Sequence, residues 1–167
     1  PAVFAVAKRD YGLDERALFT DYNSFFAGGK RADLLIVATT NREHTCPAVE
    51  GMKLGYDVLL EKPIATSREE CDLIERTSEK TGRKVVVCHV LRYSPFFRKI
   101  KELIESGKYG KAVTINHTEN VGYWHFAHSF VRGNWRNEEE STFMLLAKCC
   151  HDHALLVWLT GSSCEGV

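Results

Sequence analysis

Glu61-Lys62-Pro63 follows a short apolar run, Tyr56-Asp57-Val58-Leu59-Leu60, and precedes Thr66-Ser67-Arg68-Glu69-Glu70. The pattern is a strand, a cation at its carboxyl end, then a capped helix. In open α/β sheets, ligands bind outside the carboxyl ends of the strands. An ammonium held there by a following proline can polarise a carbonyl or stabilise an alkoxide, the charge that develops in hydride transfer. The plainer alternative is a surface lysine paired with Glu61 or another carboxylate.

A second group lies in the apolar stretch Phe143 to Leu159, which carries Lys148, His151 and Asp152. Spacings of three and four residues put these side chains on one face of a helix. Burying them needs partners or a cleft. A histidine there can serve as general acid or base near neutral pH, or it can be a core histidine bonded to a backbone carbonyl. His153 points elsewhere.

Thr39, Thr40, Asn41 and His44 follow the apolar run Ala32 to Thr39. Hydroxyl and amide groups at such a position bond a ribose or phosphate. Asn41 has an equal claim as the cap of a helix beginning at Arg42, and His44 as a packing residue over that helix start. Asn116 to Asn137 gathers His117, Tyr123, Trp124, His125, Phe126, His128, Phe130 and Trp135. Such a loop lines a sugar or ring-shaped substrate, or packs as a loop or subunit contact. No carboxylate or cysteine stands at metal-ligand spacing beside these histidines, so no metal is expected.

The elements that must position these groups alternate. A helix ends near Asp10 with Gly12 as its left-handed cap. Leu18 to Thr20 reads as a short strand, and Asp21 caps a helix over Tyr22 to Phe26. Ala27 to Lys30 is a turn. Ala32 to Thr39 has the continuous apolar pattern of a strand buried on both faces. Arg42 to Leu54 is helical up to Gly55, and Asp57 to Leu60 is a strand. Ser67 and Glu70 form a capping box for a helix to about Thr81, stopped by Gly82. Lys84 to His89 reads as another buried strand. This alternation predicts a doubly wound parallel sheet.

After His89 the pattern changes. Ser94-Pro95 opens a helix over Phe96 to Glu105, and Gly107 to Gly110 turn. Ala112 to Asn120 alternates as a solvent-facing antiparallel strand. His117 to Asn137 reads as a loop with little regular structure. Thr142 to Leu159 reads as one long helix ended by Gly161, and Ser162 onward as the beginning of a strand. A domain boundary is expected between His89 and Tyr93.

The bulk properties exclude some classes. Among 167 residues, Lys+Arg and Asp+Glu each number 22, an even balance that offers nothing to nucleic acid or an anionic membrane. No apolar run approaches the roughly 18 residues of a membrane span, and no signal peptide stands at Pro1. The six cysteines form no CxxC pair, which fits a reducing, cytoplasmic compartment. The adjacent Cys149 and Cys150 read as buried thiols rather than a redox pair. Gly28-Gly29 lacks GxGxxG spacing and a following helix, so a phosphate-binding glycine loop is missing.

ADLLIVATTNREH, YDVLLEKPIATSREE, RKVVVCHVLRYSPFFRKIKELIESGKYGK and the helix containing KCCHD together resemble the Gfo/Idh/MocA oxidoreductases, over nearly the whole chain. The resemblance implies a partial NAD(P)-binding Rossmann domain in residues 1–90. The start of an α+β substrate domain would occupy 91–167. It implies NAD or NADP as cofactor, a sugar, polyol or related carbonyl as substrate, and a homo-oligomeric full-length protein. Lys62 and His151 would be catalytic, His151 moving the proton. Thr39, Thr40, Asn41, His44, Glu61 and Lys62 would border the cofactor. Arg92, Tyr93, Trp124, Lys148 and Asp152 would face the substrate. The first strand, the glycine turn and the second strand with its ribose-binding acid would precede Pro1, and most of a C-terminal sheet would follow Val167. Where the family commonly carries an Asp four residues before the catalytic His, this chain has Ala147. Two alternatives remain: a relative using bound NAD for transient oxidation during glycosidic cleavage, and a non-catalytic dinucleotide- or sugar-binding regulator.

Overall fold

Three apolar runs form one parallel sheet. The computed structural model describes residues 2–166. In it β1 (Leu34–Val37), β2 (Asp57–Leu60) and β3 (Val85–Val87) lie in that order, with Leu35 opposite Val58 and Leu60 opposite Val87. Two helices make the crossovers, α3 (Thr45–Lys53) and α4 (Arg68–Thr81). The Ser67–Glu70 capping box starts α4, and Gly82 ends it in the left-handed region at φ 66°.

Crossovers of one hand that step in one direction place their helices on the same face of a sheet. The core follows: Val37, Val58 and Leu60 pack against Ala48, Val49, Met52 and Ile74. Gly51 permits the close approach of α3 to β1, since a Cβ there would stand 2.5 Å from Leu35 Cδ2. The opposite face stays open. Leu34 and Ile36 are 51% and 62% exposed, and Val86 is exposed too. The expectation of strands buried on both faces therefore fails for β1 and β3.

Before the sheet, α1 (Ala2–Tyr11) ends at Gly12 and α2 (Tyr22–Phe26) is capped by Asp21, both as the sequence implies. Leu18 to Thr20 is not a strand, because β1 pairs only with β2 and offers it no ladder.

After the sheet, α5 (Pro95–Glu105) begins at the Ser94 cap. Ala112 to Asn120 forms no strand, since alternation without a neighbouring strand leaves its backbone unpaired. The aromatic segment holds more helix than expected, in α6 (Tyr123–Phe126) and a wider π-turn over Ala127–Val131. The long helix is two pieces, α7 (Met144–Ala147) and α8 (Cys150–Thr160). The backbone leaves the helical region at Cys149 (φ −84°, ψ 2°), and the Ala147 carbonyl accepts from Lys62 Nζ. Gly161 caps α8 at φ 67°, and Ser162 to Gly166 is irregular rather than extended into a strand.

Candidate active site

The carboxyl end of β2 carries Glu61 and Lys62. The Glu61 amide extends the ladder by donating to Val37 O at 2.9 Å, so this turn is fixed to β1. Lys62 Nζ lies 3.2 Å from the Ala147 carbonyl. Among the described residues, none of the ion pairs involves Lys62. The Glu61 carboxylate instead accepts from the Lys62 backbone amide at 3.2 Å. The lysine is thus held by a backbone dipole at the residue where the family resemblance calls for an aspartate.

The loop after β1 is tied from below. His44 is 1% exposed, its Nδ1 2.7 Å from Pro63 O and its Nε2 3.2 Å from Thr39 O. It sits between the β1 and β2 loops, its single N–H in the neutral ring donating to one of these two carbonyls. The Asn41 amide is buried and donates to Ser141 Oγ at 2.8 Å, 100 residues away. It caps no helix: Thr40 stands at the start of the 3-10 turn over Asn41–Glu43, without a side-chain cap bond. Thr39 and Thr40 remain exposed, their hydroxyls donating to the Glu43 carbonyl and carboxylate at 3.0 Å. Thr39 also borders a cavity of about 700 Å³ along β1.

The helix break re-aims the groups on α8. Lys148 Nζ pairs with Glu119 at 3.4 Å, and the buried Asp152 meets His117 Nε2 at 2.6 Å. His151 faces His89, ring centroids 5.8 Å apart and planes at 82°. Burial, then the Lys62 and Lys148 charges, hold the His151 imidazole below its ordinary value, against opposing pulls from Asp152 and Glu61. Burial, Arg92 and His151 do the same to His89. Burial also pushes the Cys149 and Cys150 thiols up, away from the thiolate that redox chemistry uses. All six cysteines are free.

The remaining sequence-derived candidates scatter. Arg92 donates to Ala154 O at 2.9 Å, fastening the turn after β3 to α8. Tyr93 and Trp124 are exposed, and the Trp124 ring lies 6.0 Å from that of His125. Sequence reasoning passed over His89, Glu119 and Ser141 and left His117 within the aromatic loop. His89 directly follows β3, so the strand-end logic that found Lys62 would have found it. Glu119 and Ser141 carry no such signal.

Among the described residues, no group of three or more His, Cys, Asp or Glu could hold a metal ion. No helix among them is long and apolar enough to cross a membrane.

A parallel three-stranded sheet with crossover helices, and polar side chains gathered at its carboxyl edge, is a Rossmann-like NAD-binding fold. Residues 4–89 match the Gfo/Idh/MocA profile, an oxidoreductase family with an NAD-binding Rossmann fold, and the chain belongs to that family. The Bacillus subtilis protein YteT is 32% identical over 137 residues, which cover 82% of this chain and 32% of YteT. Inositol 2-dehydrogenase 2 of Saccharopolyspora erythraea is 31% identical, over 54% of this chain and 27% of that protein. The chain thus spans about a third of the length of these curated relatives. The solved WlbA dehydrogenase of Bordetella pertussis, in complex with NADH and UDP-GlcNAcA, superposes with a TM-score of 0.75. It is 25% identical, over 95% of this chain and 44% of that one.

Proposed function

We propose that this chain is part of an oxidoreductase that uses NAD or NADP on a sugar, polyol or related carbonyl. The observation that carries the reading is the Lys62 ammonium at the end of β2, half-buried, held by the Ala147 carbonyl and without a carboxylate partner among the described residues. Thr39, which borders the cavity along β1, Thr40 and Glu61 offer hydroxyl and carboxylate groups at the same edge. These suit the ribose of a dinucleotide. A nicotinamide bound there supplies or takes the hydride.

The residues of the chain do the rest. Lys62 stabilises negative charge on the substrate oxygen as the carbon–hydrogen bond is broken or made. His151 is kept neutral by burial and by the cations around it, the state in which an imidazole accepts a hydroxyl proton. The names of relatives support the substrate class: one is an inositol dehydrogenase, and another was solved with NADH and UDP-GlcNAcA. Free cysteines suit a reducing compartment such as the cytoplasm.

The test is Lys62→Ala in the intact protein, assayed with NAD and NADP against polyols and sugar nucleotides, beginning with myo-inositol. Turnover should fall by about 10²–10³-fold, with dinucleotide binding retained. Unchanged turnover would overturn the reading.

A further inference from the structure

Asp152 is the single acidic residue of α7 and α8, and it is buried. A buried carboxylate is costly unless something holds it. Among the described residues one side-chain bond does so, from His117 Nε2 at 2.6 Å. His117 lies in the 112–120 segment, which has no strand neighbour, and Glu119 of the same segment meets Lys148 at 3.4 Å. These two contacts lay the segment along the start of α8, at residues that flank His151 in the sequence.

His151 is the second residue of α8. The positive end of the helix dipole disfavours a cation there. Burial disfavours it too, then Lys62 from the end of β2 and Lys148 from the helix break, while Asp152, ahead of Glu61, pulls the other way. The other groups around the ring are His89, with centroids 5.8 Å apart, Arg92, which reaches Ala154 O, and the Cys149 and Cys150 thiols, which burial pushes toward the neutral form. An imidazole that accepts a proton must nevertheless become positive. Glu61 accepts from the Lys62 amide, and Glu119 is exposed and paired with Lys148. Asp152 is the shielded anion beside the ring, where salt and water screen it least.

We propose that Asp152, anchored by His117, is the counter-ion of the imidazolium that forms when His151 takes the substrate proton. The proposal rests on the oxidoreductase reading above, in which His151 is that acceptor. The substrate hydroxyl gives its proton to His151, its carbon gives the hydride to the nicotinamide, and Asp152 exchanges neither. It acts through His151 and is a positioning residue. A plainer role would be mechanical: an acid in the first turn of a helix, tied to a loop, steadies both.

The experiment follows the ring ¹³C resonances of His151 against pH in the intact protein, as wild type, Asp152→Asn and His117→Gln. Asp152→Asn removes the charge and keeps the shape, and His117→Gln keeps the charge and a donor for it. Without the carboxylate the charged ring loses its support, so the His151 midpoint in Asp152→Asn should fall by about one pH unit. The acid limb of turnover should move to lower pH with it, and kcat should drop by about 3–10-fold with KM little changed. His117→Gln should leave the midpoint in place. A midpoint unmoved in Asp152→Asn overturns the proposal. Equal falls in both variants overturn it as well, since a loosened segment rather than a lost charge would then be the cause. Asp152→Ser, also uncharged, carries the same reading should Asp152→Asn fold poorly. The titration needs no substrate, so it is independent of the Lys62→Ala assay. An unmoved midpoint beside a crippled Lys62→Ala removes the counter-ion and leaves the oxidoreductase.

Discussion

Residues 32–93 and residues 94–166 are held together by different forces. In the first region, one apolar cluster from Val37 to Ile74 joins sheet and helices. In the second, the buried apolar side chains are Ala147, Leu155 and Leu159, while Val113 is 95% exposed. The regions meet through directional bonds: Asn41 to Ser141, Arg42 to the Glu138 carbonyl, Lys62 to the Ala147 carbonyl and Arg92 to the Ala154 carbonyl. The groups suited to chemistry lie on this seam. Apolar packing fixes the strand ends, and adjustable polar contacts bring α8 to them. Such seams fall at the low-stability end of a structure, where ligand-binding elements are commonly drawn.

The comparison breaks first if packing is equally important on both sides. Leu60 is fully buried in the central strand, and Leu60→Ala should lower stability by about 2–5 kcal/mol. Leu155 is just as buried but has a smaller core around it that can relax into the space. Leu155→Ala should fall at or below the lower end of that range. Urea midpoints at constant slope measure both. Equal losses would show that the second region has a core as cooperative as the first.

The next effect sharpens the contrast. Asp152 is 8% exposed and meets His117 at 2.6 Å, which ties the irregular 112–120 segment to α8. Asp152→Asn keeps the shape and weakens the bond. It should lower stability by about 1–3 kcal/mol and speed hydrogen exchange of α8, leaving β2 protected. Loss of protection in β2 would mean that the two regions open together.

What could be read from the sequence divides along the same line. Asp57 to Leu60, the Ser67–Glu70 box and the Gly82 stop are local signals, and all stand in the structure. The open face of β1 was not legible, because cover depends on which side the crossovers take. Alternation in Ala112 to Asn120 describes a face, and a face without a neighbouring strand makes no sheet. The long helix breaks at Lys148–Cys149, where a lysine 85 residues distant reaches the Ala147 carbonyl. Lys62 and His151 were readable as candidates because strand ends and polar groups in apolar helices are themselves local features. The partners of neighbouring groups, Ser141 for Asn41 and His117 for Asp152, come from distant segments with no shared pattern.

The smallest effect tests the seam directly. Asn41 Nδ2 donates to Ser141 Oγ at 2.8 Å across 100 residues, with both side chains buried. If this bond fastens the second region to the β1 loop, Asn41→Ala and Ser141→Ala should each cost stability, and the double variant should cost less than their sum. The coupling should be about 0.5–1.5 kcal/mol, the net worth of an intramolecular hydrogen bond. Strict additivity would mean that the two residues do not feel each other in solution. The attachment would then rest on the Arg42, Lys62 and Arg92 bonds, all of which run to backbone carbonyls. A coupled pair beside unaltered urea slopes would instead make the seam a set of separable latches, each releasable without unfolding the sheet that positions Lys62.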